Sequence, residues 1–139
     1  MKATSLSNMG AAFQIRFDRT RDLGDIQEAI EAMHRSIELT GDKHPDKPLR
    51  LNNLGNSLRA RLQANGTLDI ETITEAITVM RRAVALSVGD HPNKPIYLLT
   101  LGACLLFHPS SVAHDECSSV TRRALELLPN GHPDKPGFL

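Results

Sequence analysis

Three histidines occupy one place in a recurring pentapeptide: HPDKP at 44–48, HPNKP at 91–95 and HPDKP again at 132–136. Imidazole, carboxylate and ammonium groups at fixed spacing are the raw material of metal ligation and of acid–base chemistry. A metal, however, needs ligands that converge on one point. His44, His91 and His132 recur once per 47 and 41 residues, so along a repeated structure they fall one unit apart on one edge and read as turn residues. HPSSVAHDEC at 108–117 is the only local group of metal-competent residues, with His108, His114, Asp115 and Cys117. Its spacing fits no zinc pattern, and a loop His and a packed Cys are expected, with no metal and no cofactor. A Cys–His nucleophile lacks a third orienting group or an oxyanion loop. No Gly-rich phosphate loop is present, and RTRDLGD at 19–25 reads as a turn followed by a helix N-cap. The chain is not expected to be an enzyme.

Composition narrows the partners. The 139 residues suffice for one domain, and 40% hydrophobic with 23% charged residues is ordinary for a soluble globular protein. Sixteen Lys and Arg balance sixteen Asp and Glu, leaving no positive excess to draw a phosphate backbone or an anionic membrane. Aromatics are 4% with no Trp, which disfavours a base-stacking platform. No apolar run approaches a membrane span, and MKATSLSNMG lacks the apolar core of a secretory signal. A cytoplasmic protein is expected, binding neither nucleic acid nor membrane. Cys104 and Cys117 are too few for a disulfide framework and read as small buried hydrophobes.

The elements behind the pentapeptide also recur. A shift of 47 places EAIEAMHRSIEL (28–39) on EAITVMRRAVAL (75–86), and a further 41 brings in ECSSVTRRALEL (116–127). The segments ahead correspond too: SNMGAAFQIRF (7–17), NNLGNSLRARL (52–62) and, less completely, LTLGACLLF (99–107). In the second segments Ile26, Ile30, Met33, Ile37 and then Ile73, Ile77, Met80, Val84 repeat a four-three-four spacing, one stripe of a helix. Leu51, Leu54, Leu58 and Leu62 mark the first segments as helical as well. The expectation is all-α: a right-handed helical-repeat solenoid of three antiparallel helix pairs, in which each pair buries its apolar face against its neighbours. Units run about 1–47, 48–94 and 95–131, with 132–139 the remnant of a fourth. Gly10, Gly55 and Gly102 sit inside first helices, where Gly costs roughly 1 kcal/mol against Ala. Close helix approach would offset that cost, with Ala29, Ala76 and Cys117, then Ser36, Ala83 and Ala124, as the matching small-residue face.

A small residue in the first helix and two more seven apart in the second, with Met33 or Met80 between, resembles the tetratricopeptide repeat. Leu51-Asn52-Asn53-Leu54-Gly55 after a His-Pro turn is similar to the kinesin-light-chain variety, and the His-Pro-Asp-Lys-Pro spacer to the repeat arrays of basidiomycete fungi that often lie beside a caspase-like CHAT domain. No position here matches that domain's Cys and His. Departures from the family are visible. The distance from first-helix Gly to second-helix small residue is 19 and 21 residues in the first two copies and 15 in the third, so helix or turn must be extended in the former. The third stripe fades to His114, Ser118, Thr121 and Leu125, making that pair degenerate, as befits the end of a stack.

The resemblance implies a concave face lined by first helices, with a peptide groove at Asn52, Asn56 and Arg59: Arg59 for a carboxylate and the amides for a peptide backbone. Ser7, Ala11 and Gln14, and Leu99, Ala103 and Leu106, hold those places in the other copies, and Leu99, Leu105, Leu106 and Phe107 read as core. The function expected is a non-catalytic scaffold binding a protein or peptide. The alternative is a repeat fragment of a larger array that associates with itself through its end helices, with exposed faces at Met9/Phe13 and Leu125/Leu128. A metal-binding or hydrolytic protein is the least favoured. The pentapeptide becomes the joint between units. Pro45 and Pro92 end the preceding helix, Asp46, Asn93 or Asp134 accepts bonds from free N–H groups of the next, and Pro48, Pro95 and Pro136 sit in its first turn.

Overall fold

The computed structural model describes residues 2–65, 69–89 and 91–128. They form α1 Ala3–Thr20, α2 Leu23–Glu38, α3 Lys47–Asn65, α4 Ile70–Leu86, α5 Lys94–Leu105 and α6 Ser111–Leu127. The chain is all-α. None of the described helices is long and apolar enough to cross a membrane.

Helix boundaries follow from local chemistry. α1 stops where Arg21 turns left-handed (φ 60°), its N–H returning to the Phe17 carbonyl at 2.7 Å and its guanidinium lying 5.5 Å over the Phe17 ring. Asp22 accepts from the Gly24 N–H at 2.8 Å and starts α2, the turn-plus-cap expected for RTRDLGD. Asp69 accepts the Thr72 hydroxyl at 2.6 Å and N–H at 3.2 Å, which starts α4 and holds the Asp69 carboxyl below its ordinary range. Ser110 accepts from the Val112 N–H at 3.1 Å ahead of α6.

Consecutive helices pack in pairs, α1 with α2, α3 with α4 and α5 with α6. Within the first pair the Ser36 hydroxyl near the end of α2 donates to Ala3 O at the start of α1 (2.8 Å), while Thr20 at the end of α1 reaches Asp25 at the start of α2 (3.1 Å). The two helices therefore run antiparallel. Between pairs, α2 packs on α3 and α4 on α5. α1, α3 and α5 also approach one another directly, whereas the backbones of α2, α4 and α6 stay apart and meet only through long side chains. The longer connectors are taken up by helix: α1 and α3 have 18 and 19 residues and α5 has 12.

The apolar stripes form the core. Ile26, Ile30, Met33, Ile37, Ile73, Ile77, Met80 and, from α3, Leu51, Leu54, Leu58 and Leu62 are buried together, with Val84 at the margin. Burying each such side chain contributes about 1.5–3 kcal/mol. α6 differs: it buries Ala113 and Ala124, while His114 and Ser118 are exposed. Small residues meet a large one at the glycines. A Cβ on Gly10 would come within 2.8 Å of Met33 Cγ and 3.3 Å of the Ala29 carbonyl, and one on Gly55 within 2.8 Å of Met80 Cγ. Ala29, Ala76 and Ala83 are fully buried alongside, but the groove left by the glycine is filled by methionine, not by another small residue. In the third pair a Gly102 Cβ would sit 2.9 Å from Thr121 Oγ1.

Replacing Gly55 should therefore destabilise although Ala is the better helix former. Gly55→Ala is expected to lower the unfolding free energy by about 1–3 kcal/mol through overpacking against Met80. Gly41→Ala, where nothing lies within 4 Å, should be near neutral. Urea melts of both variants compare the two.

Candidate functional site

The pentapeptide histidines are acceptors. His44 Nδ1 takes the N–H of Asp46 at 3.0 Å, and His91 Nδ1 that of Asn93 at 3.1 Å. His108, from the group suspected of metal binding, does the same for Ser110 at 3.1 Å. Each is a His-Pro-x turn closed by its own ring, and an Nδ1 that accepts places the neutral ring's proton on Nε2. The chain closes the joint further by His44 O accepting from Lys47 N–H and His91 O from Lys94 N–H, both at 3.1 Å. Capping by Asp46 and Asn93 was expected here. Asn93 makes no side-chain cap bond, and the Asp46 carboxylate lies 3.7 Å from the Arg50 guanidinium. The ring nitrogen stands at the distance from the backbone that an Asp oxygen occupies in an Asx turn and takes the i+2 N–H, while two residues beyond Asp46 and Asn93 stand Pro48 and Pro95, which have no N–H to offer a cap. His132, Pro133, Asp134 and Pro136 lie outside the described residues. Pro48 and Pro95 are in the first turns of α3 and α5 and are buried; Pro45 and Pro92 are exposed.

The lysine of the pentapeptide has a role that sequence reasoning missed. Lys47 is 4% exposed, and its ammonium donates to Ile37 O (2.9 Å) and Thr40 O (2.6 Å) at the end of α2, with the Asp42 carboxylate 3.4 Å away. Arg50 adds bonds to the hydroxyls of Thr40 (2.6 Å) and Thr4 (3.1 Å), so one α3 turn binds the ends of both preceding helices. At the next joint Tyr97 replaces Arg50; its ring lies 5.9 Å from that of His91, and burial pushes its hydroxyl up while a hydrogen bond with the Asn93 side chain opposes.

His44 and His91 both line a cleft of 470 Å³ with Pro45, Pro48, Leu86 and Val88, though each has its Nδ1 already engaged. Among the described residues no three His, Cys, Asp or Glu side chains gather as a metal site would require. His114 and Asp115 are exposed and Cys117 is half-buried. Cys104 is fully buried, and that burial pushes its thiol up to about 11 against the opposing Arg59 charge.

Asn52, Asn56 and Arg59 fall on one stripe of α3, and Arg59 Nη2 donates to Asn56 Oδ1 at 3.2 Å. Asn52 is 5% exposed. Among the described residues, Asn52 Oδ1 and Arg59 Nε are the buried side-chain polar atoms without a hydrogen-bond partner. Arg59 and Gln63 of α3, with Ala103, Leu106 and Phe107, line a cleft of 240 Å³. Leu106, read from sequence as core, is 62% exposed at its rim, while Leu105 is buried and Leu99 and Phe107 are half-buried. α5 ends one residue earlier, which turns Leu106 outward.

Loss of a turn acceptor should cost about 1 kcal/mol. His91→Ala is expected to lower stability by that amount and His91→Asn by less, since the amide oxygen can take the same N–H; thermal melts read the difference. Alkylation of the native protein by iodoacetamide should modify Cys117 and spare Cys104 near neutral pH, because the thiolate is the reactive form; peptide mass spectrometry after a short exposure shows which is labelled. Comparison with known proteins adds no relative: the chain matches no protein-family model and no curated protein.

Proposed function

We propose that the chain is a right-handed solenoid of three tetratricopeptide-like helix pairs, with units about 1–47, 48–94 and 95–131, that binds an extended peptide or protein segment and performs no catalysis. The observation that carries this reading is the open cleft beside the polar stripe of α3, lined by Arg59, Gln63, Ala103, Leu106 and Phe107. The half-buried Arg59 guanidinium, bonded to Asn56 at 3.2 Å, is a donor for a peptide carbonyl or carboxylate. The seven-residue separation of Asn52 and Arg59 is about 10 Å along the helix, the length of about three extended peptide residues.

The packing supports the placement. α1, α3 and α5 approach one another while α2, α4 and α6 do not, so a curved stack puts the first helices on its inner side. The surface there changes along the stack, from Ser7 and Gln14 through Asn52, Asn56 and Arg59 to Leu99, Ala103 and Leu106. A bound segment would set an apolar side chain in the cleft beside Arg59 and Phe107. The cytoplasmic setting and the kinship with fungal, kinesin-light-chain-like arrays belong to this reading too.

Selection from a random peptide display library on the immobilised protein tests it. Enriched peptides should lose at least about tenfold in affinity on Arg59→Glu, with the helical circular dichroism unchanged, and should shift amide resonances of α3 and α5 in preference to α2 and α6. No enrichment, or shifts confined to α2, α4 and α6, would remove the groove as the binding surface.

A further inference from the structure

On the side of α2, α4 and α6, one side-chain contact to a glutamate recurs. His34 meets Glu75 at 2.6 Å, and Arg81 meets Glu116 at 2.5 Å. The two share a register: Arg81 is His34 moved by 47 residues, and Glu116 is Glu75 moved by 41. Extending that register one step outward reaches Glu28 on α2 and Arg122 on α6. Both are exposed. Neither has an ion-pair partner among the described residues.

The apolar surface of α1 points the same way. Met9 and Phe13 are only half-buried, where their counterparts Leu54 and Leu58 are 1% and 2% exposed.

We propose that copies of this chain associate head to tail. The α6 side of one meets the α1–α2 side of the next, and Arg122 faces Glu28. The occupant is a second copy because each end offers the charge that the other end lacks, in the register already used twice inside the chain. The joint is weaker than the internal ones: α6 presents His114, Ser118 and Thr121 where α2 has Ile26, Ile30 and Met33, so little apolar surface adds to the exposed charges and salt screens them. The two surfaces differ, so association builds open chains and not a closed two-fold dimer. It uses the ends of the molecule and is independent of the groove.

Sedimentation equilibrium from about 10 μM to about 1 mM, at about 0.02 M and about 0.5 M salt, decides the matter. At low salt the mass should rise with concentration above the 15.3 kDa of the single chain and fall back toward it at high salt. Glu28→Arg and Arg122→Glu should each weaken association at least about tenfold, and the two combined should restore it. A mass of one chain under every condition overturns the proposal, as does association that single reversals leave intact or that the combined variant fails to recover.

Discussion

How near two helices can lie sets everything else in this molecule. At Gly10 and Gly55 the missing Cβ lets Met33 and Met80 lie against the partner helix. The close approach brings the Leu and Ile stripes of each pair into contact. Methionine suits the place, since an unbranched thioether adapts to an irregular gap where a β-branched side chain would not. At Gly102 the opposing residues are Thr121, Val120 and Cys117. The third pair keeps the close approach but loses the methionine, and its second helix buries little beyond Ala113 and Ala124.

The helices were legible in the sequence because their apolar spacing is regular and the core residues carry it. Ile26, Ile30, Met33 and Ile37 needed no structural knowledge to be placed inward. The role of the pentapeptide was half legible. That it joins helices followed from two prolines at fixed places, but that the His ring closes the turn did not, because an imidazole nitrogen here takes the acceptor place usually held by an Asp or Asn oxygen. Lys47 was invisible for a different reason. A buried ammonium is rare, and here it is favoured by the carbonyls at the end of a neighbouring helix, 7 and 10 residues earlier in the chain, and by the Asp42 carboxylate at 3.4 Å. For the groove, the polar stripe on α3 came from the family resemblance, whereas the orphaned Asn52 and Arg59 atoms could come only from side-chain geometry.

The joints use the same backbone turn but different surroundings. The first is polar, with Lys47, Arg50 and Thr40 hydrogen-bonded across three helix ends. The second sets the His91 ring at a tilt beside the buried Tyr97. His108 closes a turn of the same kind between α5 and α6, inside a pair and not between pairs. The turn is thus a local device, indifferent to whether the helices it separates belong to one pair or two. What specifies the packing is the faces of the helices themselves.

Contacts among the described helices join neighbours or next-but-one neighbours along the sequence and nothing more distant. The turns close over two and three residues. Little chain entropy has to be surrendered before the first stabilising contact forms, so the arrangement has low contact order, and such topologies acquire their structure on the microsecond to millisecond scale. The first pair to leave the ribosome has its local contacts at hand, but its burial is completed only when the next pair stacks upon it.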